Sequence, residues 1–318
     1  MPQITPAGAR VINPVLTNIA QGIKQSDFVG SALFPIVPVA MRAGNILTFN
    51  REDFMQYSNI ARAPGENTRR VSFGYSSGTF ALVDYSVEGS LPIEIMQEAS
   101  SAANGFSLDG AMMAMQKASR ILALRTELAQ ATLATTLSTY AAANRTTLSG
   151  TAQWSDYTGT SNPLSVIETG KEAVRAATGR RPNTCVMGAS VMARLRQHPV
   201  ITDRMKYTGR DIATTEILAG LFGVDRVLVG DAVWSNDAGT TLNDVWGKHL
   251  VLAYTETDTI ANYGTPTFGY TYNLGGYPVV EEPYYDRNSK TWFFPVTRAE
   301  APVVAAAGAG YFVQNAVA

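Results

Sequence analysis

Two kinds of hydrophobic periodicity run along this chain. Between residues 79 and 87 the side chains alternate in type at every second position, which is the period of a β-strand. From Ser107, the expected N-cap, to about Tyr140, apolar residues recur at helical steps of three, four and seven. This region predicts one helix about 45 to 50 Å long, at ~1.5 Å per residue, which we expect to be the spine of the fold.

A two-legged extended segment precedes the predicted spine helix. The legs are residues 45–54 and 71–87, and the polar stretch 58–70 between them contains Pro64-Gly65 and no core residues. The pattern predicts a long projecting hairpin, the extended loop of residues 46–88. An isolated two-stranded hairpin is at best marginally stable, so we expect it to lie on a neighbouring subunit.

The beginning of the chain, residues 1–45, shows no clear period. Such a segment cannot bury a face of its own. We therefore predict an N-terminal arm that lies on another surface. Its prolines are Pro2, Pro6, Pro14, Pro35 and Pro38.

Helices and strands alternate beyond the spine helix. Asn162 is expected to cap a helix that opens with Pro163 and ends before Gly179. Short helices and apolar strands follow as far as residue 264. From residue 265 the segments TFGYTY, YPVVEE, TWFFPVTR and GYFV indicate strands. Together these elements predict an α+β fold.

The composition also indicates that the exterior carries few charged groups. Charged residues make up 16% of the chain, against an average near ~25%, while hydrophobic residues make up 46%. This deficit favours a surface covered by neighbouring subunits; the alternative is a monomer with a Thr/Ser/Asn-rich surface. The net charge of −1 excludes a strongly basic nucleic-acid binder but not a container whose inner face tolerates packed DNA.

Candidate chemistry is sparse. Cys185 is the single cysteine, so neither an intrachain disulfide nor a cysteine metal site is expected. A Ser/His/Asp set could be assembled from His198 and Asp203, but no nucleophile elbow is present, and helix-end capping by His198 is favoured. The pair Glu281-Glu282 lies in a strand-like segment and points to opposite faces. We predict no enzyme, no cofactor, no metal, no signal peptide and no membrane span.

Three segments carry a family resemblance. They are Pro182–Trp234, which includes PNTCVMGASVMARLRQHPVI and LAGLFGVDRVLVGDAVW, Trp246–Tyr254 with WGKHLVLAY, and the closing FGYTYN and GYFVQNAV. Together with the order arm, extended loop, spine helix, α/β region and returning strands, the chain resembles tailed-bacteriophage major capsid proteins of the Hong-Kong-97 type.

The resemblance implies a domain division and a set of partners. The domains would be an arm (1–45), an extended loop (46–88), a peripheral domain (89–160) with spine helix 107–140, an apical domain (161–264) and returning peripheral strands (265–318). The implied partners are copies of the chain in pentamers and hexamers, a portal protein, a scaffolding protein, a cement or decoration protein, and non-specifically packaged double-stranded DNA. The implied location is the virion, after assembly in the host cytoplasm.

The extended loop departs from one family pattern. Some members join their subunits by an isopeptide bond between a loop Lys and an Asn, but no Lys lies between Lys24 and Lys117. Arginine cannot replace lysine as that nucleophile, so we expect non-covalent contacts or a separate cement protein. Arginine suits pairing with carboxylates of a neighbouring subunit; the alternative is a solvated loop tip. The predicted contact residues are Arg51, Arg62, Arg69 and Arg70.

Two other functions remain open at this stage. An encapsulin-like nanocompartment shares the architecture and encloses cargo proteins in place of a genome. A soluble α+β enzyme or binding protein with an unrecognised site would be a monomer or a small oligomer with a concave pocket.

Overall fold

The structure of the protein is a computed structural model. It describes residues 28–49, 67, 75–100, 110–205, 213–235, 239, 241–256 and 267–318. The predicted contact arginines, the expected helix cap Ser107 and residues 1–27 of the predicted arm lie outside these ranges.

The described residues form short helices and strands around one long helix. The helices are α1 (Gly30–Leu33), α2 (Ile93–Ser100), α3 (Gly110–Thr135), α4 (Pro163–Thr178), α5 (Ala189–Gln197), α6 (Pro199–Met205) and α7 (Thr215–Phe222). The strands are β1 (Ile36–Val39), β2 (Ala43–Phe49), β3 (Tyr75–Ala81), β4 (Val83–Pro92), β5 (Arg145–Thr147), β6 (Thr184–Gly188), β7 (Arg226–Gly230), β8 (Val233–Ser235), β9 (Leu242–Asp244), β10 (Leu250–Ala253), β11 (Gly269–Leu274), β12 (Val279–Val280), β13 (Tyr284–Asp286), β14 (Thr291–Val304) and β15 (Gly310–Gln314).

The larger sheet has six strands and is built around β14. Along one edge β14 pairs with β4, and along the other it pairs with β11, β12 and β13, while β1 adds a parallel strand to β11. Helix α3 packs on one face through Met115, Ala118 and Leu122, which are buried. Gly89 of β4 lies so close to α3 that an added Cβ would collide with the backbone of Ala114, so this position requires glycine.

The smaller sheet has the order β5-β15-β10-β6-β7 and is buried on both faces. One face, which includes Leu252 and Val313, packs against α4, α5 and α7. The other face, which includes Val186 and Val251, packs against the C-terminal end of α3 and against residues 29–34. The predicted cap of α4 is confirmed, since the Asn162 side chain accepts a hydrogen bond from the Ser165 N–H and Gly179 ends the helix in the left-handed region.

The final strand lies in a different sheet from the one that the sequence pattern suggests. The prediction groups residues 265–318 as returning strands of the peripheral domain, yet β15 pairs with β10 and β5 of the smaller sheet. Tyr311, Phe312 and Val313 are all buried, although neighbouring residues of a strand point to opposite faces. A strand that is apolar on both faces needs cover on both sides, which the smaller sheet provides.

Strands β2 and β3 form a separate antiparallel ribbon. Its register runs from Ala43 opposite Ala81 to Phe49 opposite Tyr75, and the ribbon joins neither of the two large sheets. Leu82 alone separates β3 from β4, so one nearly continuous strand belongs first to the ribbon and then to the larger sheet. Strand β3 lies within the second predicted leg, residues 71–87, whereas β2 begins at Ala43, two residues before the first predicted leg.

Part of the predicted arm belongs to the core of the protein. Leu33 and Phe34 have no exposed surface, and β1 is a strand of the larger sheet. The prediction of an arm over residues 1–45 is therefore wrong for residues 29–39. One helical turn and a four-residue strand are too short to generate a hydrophobic period, and their burial depends on partners far along the chain.

Helix α3 ends at Thr135, so the predicted end at Tyr140 is wrong. The backbone is already extended at Thr136. The Thr136 hydroxyl donates to the carbonyl of Thr132 at 2.6 Å, and the Tyr140 hydroxyl donates to the carbonyl of Ala134 at 2.7 Å. Side chains thus satisfy the last carbonyls of the helix, and β-branched threonines favour an exit from helical geometry.

Candidate assembly surface and the spine joint

Five residues hold the base of the β2–β3 ribbon, and we call them the ribbon neck: Arg42, Phe80, Leu82, Asp84 and Tyr272. The Leu82 N–H donates to the Arg42 carbonyl at 2.7 Å, and Arg42 Nη1 donates to Asp84 Oδ2 at 2.6 Å. The rings of Phe80 and Tyr272 stack with centroids 4.4 Å apart. The hydrogen bond to Asp84 raises the pKa of Arg42 above its ordinary value. The ribbon is therefore fixed where it meets the larger sheet.

A buried carboxylate on α3 joins three distant parts of the chain. Glu127 is 2% exposed, and its Oε1 accepts hydrogen bonds from the Val29 N–H at 3.0 Å, the Gly30 N–H at 2.9 Å and Trp246 Nε1 at 2.7 Å. Burial raises the pKa of Glu127, and these hydrogen bonds partly offset that rise. We call Val29, Gly30, Glu127 and Trp246 the spine joint.

Both ends of the short helix α1 are held by side chains from elsewhere in the fold. At the first end, an added Cβ on Gly30 would collide with Glu127, so the close approach to the carboxylate requires glycine. At the other end, Arg226 Nη2 donates to the Ala32 carbonyl at 3.3 Å, while its Nε donates to Thr184 Oγ1 at 2.9 Å. These contacts place residues 29–34 between α3 and the smaller sheet.

Two further polar residues of α3 face the strands of the larger sheet. Gln130 Nε2 donates to Thr271 Oγ1 at 2.8 Å, and that hydroxyl donates to the Phe34 carbonyl at 3.2 Å. One turn earlier, Thr126 contacts the buried carboxylate of Glu300. The same face of α3 therefore binds the N-terminal segment, β11 and β14 through polar groups.

Sequence reasoning missed this polar face. Leu124 and Leu128 fit the helical period of apolar residues predicted between Ser107 and Tyr140, yet they are only half-buried in the structure. Thr126 and Gln130 continue at steps of four from the buried Leu122, and that continuation is the signal that could have found them. Their partners lie more than one hundred residues away in sequence, so the periodicity alone gives no reason to bury them.

The Ser/His arrangement in the structure is unsuited to general base catalysis. His198 is buried, and its Nδ1 accepts the Val200 N–H at 3.3 Å, so the ring proton lies on Nε2 and is donated to Ser161 Oγ at 2.7 Å. A general base needs an unprotonated nitrogen facing the hydroxyl. Burial lowers the pKa of His198, which favours the neutral ring at the end of α5.

The other chemical candidates are also structural. The Nδ1 atom of His249 accepts the Asn315 N–H at 3.2 Å, and Cys185 is buried in the smaller sheet, which raises the pKa of its thiol. Among the described residues no group of three or more His, Cys, Asp or Glu side chains could hold a metal ion. No helix within the described ranges is long and apolar enough to cross a membrane.

Comparisons with known proteins point to one family. The family described as phage major capsid protein E matches residues 131–305, more than half of the chain. The major capsid protein of Burkholderia phage BcepMu is 34% identical over 309 residues, which cover 96% of this chain and 97% of the relative. A crystal structure of a phage-related protein from Bordetella bronchiseptica RB50 is 34% identical, covers 97% of this chain and 98% of that chain, and has a TM-score of 0.81.

A more distant structure shares the fold alone. The capsid of cyanophage P-SCSP1u is 9% identical, covers 92% of this chain and 89% of that chain, and has a TM-score of 0.59. The family match favours a phage capsid over the encapsulin-like and soluble-enzyme alternatives. The chain belongs to the phage major capsid protein family and has the Hong-Kong-97-type fold.

Proposed function

We propose that this protein assembles into pentamers and hexamers that close an icosahedral shell around the double-stranded DNA of a tailed phage. The observation that carries the proposal, beyond family membership, is the β2–β3 ribbon. Seven residues of strand extend about 23 Å at ~3.3 Å per residue, and an isolated two-stranded ribbon is marginally stable in water. A neighbouring subunit supplies the surface that stabilises it.

The proposal also assigns each domain either to contacts with neighbouring copies or to the body of the subunit. Residues 1–28 act as the arm, residues 43–82 as the extended loop, α3 and the larger sheet as the peripheral domain, and residues 161–264 as the apical domain. Residues 83–88 of the predicted loop belong to the peripheral domain, because β4 pairs with β14 of the larger sheet. The arm and the extended loop contact neighbouring copies, whereas the other two regions form the body of each subunit. Interfaces repeated around closed symmetry make assembly cooperative, because each subunit touches several others.

The proposed contact residues of the extended loop are its arginines. Arg51, Arg62, Arg69 and Arg70 pair with carboxylates of adjacent subunits, since a planar guanidinium matches a carboxylate with two hydrogen bonds. The loop contains no lysine for an isopeptide bond. The shell is therefore held by non-covalent contacts or by a cement protein.

The remaining partners come from the proposed role as a shell. A portal protein occupies one vertex, a scaffolding protein guides assembly in the host cytoplasm, and DNA is packaged without sequence recognition. The low net charge of −1 supports non-specific containment, because specific or tight DNA binding uses a basic surface.

Removing the ribbon tests the proposal directly. A variant in which a short Gly/Ser linker joins Arg42 to Leu82 keeps both large sheets, so we expect a folded chain by circular dichroism. Electron microscopy and analytical ultracentrifugation should show closed particles for the full chain, expressed with its phage's other head proteins, and none for the variant. Closed particles from the variant, or a full chain that never forms particles, would contradict the proposal.

A further inference from the structure

Helix α3 has an exposed face that is turned away from the larger sheet. Met115 and Leu122 are buried between the helix and the sheet. Met113 and Ile121 are instead 52% and 46% exposed, and Lys117, which lies midway between them in sequence, is also exposed. Residues four apart lie on the same side of a helix, so these three side chains form one row along α3.

A second row of side chains lies beside the first. Arg120, Leu124 and Leu128 are again four residues apart, and each follows a member of the first row by about two helical turns. Arg120 is exposed, and the two leucines are half-buried. Two such rows form ridges with a groove between them, into which a ridge of a partner helix packs. We call these six residues the outer groove of α3: Met113, Lys117, Arg120, Ile121, Leu124 and Leu128.

The apolar side chains of the outer groove are grouped on one side of the helix. Single exposed apolar residues are normal on a protein surface and need no explanation. Contiguous ones mark sites of interaction, because their burial by a partner is favourable. Met113 and Ile121 in one row, with Leu124 and Leu128 in the next, are of the second kind.

The charged side chains of the outer groove are both positive. Helix α3 has one acidic residue, Glu127, and it is buried in the spine joint. Arg125 is directed at β4, where its guanidinium carbon lies 3.0 Å from the centre of the Tyr85 ring. Lys117 and Arg120 are exposed within the groove. The whole chain has a net charge of −1, so this positive surface is a local feature of α3.

From these observations we infer that the outer groove of α3 binds an amphipathic helix of another protein, one with an apolar stripe and acidic flanks. The apolar stripe packs between the two rows, and the acidic flanks pair with Lys117 and Arg120. The inference rests on the proposed function for its setting, a chain that assembles together with other proteins. It adds the surface and the chemistry by which one of those proteins is bound.

The shape and polarity of the groove favour a helix over nucleic acid. Phosphates of double-stranded DNA would pair with Lys117 and Arg120, but Met113 and Ile121 would gain no apolar contact from a charged backbone. An amphipathic helix satisfies both kinds of side chain at once. Its own ridges also match the spacing of four residues that the groove presents.

The helices of a second copy of this chain fit the groove less well. From Met113 to Leu128 the groove extends about 22 Å, at ~1.5 Å per residue. Among the described helices other than α3, only α4, with 16 residues, reaches this length. Its apolar face, which includes Ile167 and Val174, is already buried in the core of its own subunit. A second copy of α4 therefore has no apolar stripe to offer.

Helix α2 is the competing occupant within the described chain. It exposes Glu94 together with Ile95 and Met96, which is the right chemistry. Its eight residues extend only about 12 Å, so α2 of a second copy would leave nearly half of the groove uncovered. The experiments below separate α2 from a helix of another protein.

Binding of a designed peptide to the unassembled full chain tests the recognition chemistry. The probe is a fluorescent peptide of about three heptads, with isoleucine and leucine in its apolar stripe and glutamate on both flanks. The control peptide has lysine in place of each flanking glutamate. We expect saturable binding of the acidic peptide by fluorescence anisotropy, weakened by added salt, and at least about tenfold weaker binding of the lysine peptide.

Substitutions in the groove locate the binding site. Ile121→Gln and Lys117→Glu change exposed residues, so both variants should fold, and each should weaken binding of the acidic peptide by about tenfold or more. Lys117→Glu should also gain affinity for the lysine peptide, which a loss of structure would not cause. Leu242→Gln and Lys248→Glu, at exposed residues distant in sequence from α3, are the matched controls and should leave the binding of both peptides unchanged.

A photocrosslinker identifies the natural occupant. Benzoylphenylalanine in place of Met113 is placed in the full chain, which is assembled with the other head proteins of its phage and then irradiated. Mass spectrometry of the cross-linked peptides should find an acidic amphipathic segment of another head protein. Cross-links to residues 93–100 or to residues 1–28 of a second copy, or to DNA alone, would overturn the inference.

Failure of this inference and failure of the proposed function give different results. Equal binding of the two peptides, or binding that Lys117→Glu does not change, would refute the outer groove while leaving the shell function intact. Absence of particles from the wild-type chain with all its head proteins would refute the shell function, whereas peptide binding is measured on the unassembled subunit. Circular dichroism checks the fold of each variant. If one does not fold, the preference of the wild type for the acidic peptide and the cross-linked partner decide.

Discussion

The two large sheets of this protein differ in how completely they are covered. Every residue of β6 and β10 in the smaller sheet is buried, with helices on one face and the end of α3 and residues 29–34 on the other. The larger sheet has α3 on one face, but β4 shows exposed polar side chains, and within the described ranges no strand pairs with its outer edge. The smaller sheet is completed within the subunit, and under the proposed function a neighbouring copy covers the ribbon that adjoins the larger sheet.

The two sheets therefore differ in what stabilises their strands. A strand buried on both faces gains stability from apolar burial and needs nothing from outside. A strand with an open edge is a hazard in a monomer, because it can pair with any extended chain.

The largest effect should come from the smaller sheet. Leu252→Ala creates a cavity at a residue with no exposed surface, so we expect the free energy of unfolding to fall by about 2 to 5 kcal/mol. Val83→Ala, at a residue of β4 that is 48% exposed, should change it by less than about 0.5 kcal/mol. Urea denaturation of the unassembled chain measures both. Equal losses would remove the distinction between the sheets.

The next effect concerns the spine joint, where the two sheets meet. Glu127→Ala leaves the Val29 and Gly30 N–H groups and the Trp246 indole without their acceptor, and an unsatisfied buried donor costs about 1 to 3 kcal/mol. We expect a loss of about 2 to 3 kcal/mol if water partly fills the site. Gln116→Ala, on the exposed side of the same helix, is the matched control. If Glu127→Ala left the free energy of unfolding unchanged, packing alone would hold residues 29–34.

The long helix and the cap of α4 could be predicted from the sequence, whereas the spine joint could not. Periodicity predicted α3 because Met112, Met115 and Leu122 recur at helical spacings, and the cap of α4 is a local signal at Asn162. Glu127 carries no such signal. A charged residue in a long helix ordinarily faces solvent, and its burial follows from donors that come from residues 29–30 and 246.

The sheet to which β15 belongs could not be predicted, for a similar reason. Hydrophobic pattern identifies GYFV as a strand but does not choose its neighbours. That choice depends on which sheet offers cover on both faces, and the cover is assembled from helices far earlier in the chain. Tertiary context therefore decides pairing where local pattern decides only the element.

The pH dependence of Glu127 gives a smaller effect at the same joint. Burial raises its pKa, so the folded chain binds this proton more tightly than the unfolded chain does. The stabilisation from this tighter binding is complete below the unfolded pKa, near ~4.3, and is lost as pH rises through the raised folded pKa. The stability of the wild type relative to Glu127→Gln should therefore decline as the pH rises above about 4, and urea denaturation at a series of pH values measures the difference. If the stability difference between the wild type and Glu127→Gln did not change with pH, the raised pKa of Glu127 would be contradicted.

The smallest effect on the subunit should come from the ribbon neck. Phe80→Leu keeps apolar volume beneath the ribbon but loses the stacked ring on Tyr272, a contact worth about 0.5 to 1.5 kcal/mol. We expect the unassembled chain to lose less than about 1 kcal/mol, because the ribbon adds little to the stability of an isolated subunit. Assembly should suffer more, since a loosened neck lowers the fraction of ribbons aimed at their neighbours and the penalty repeats in every subunit. Denaturation of the subunit and particle yield by ultracentrifugation separate the two quantities. A variant that lost subunit stability and particle yield in the same proportion would show that the ribbon, like the smaller sheet, is completed within its own chain.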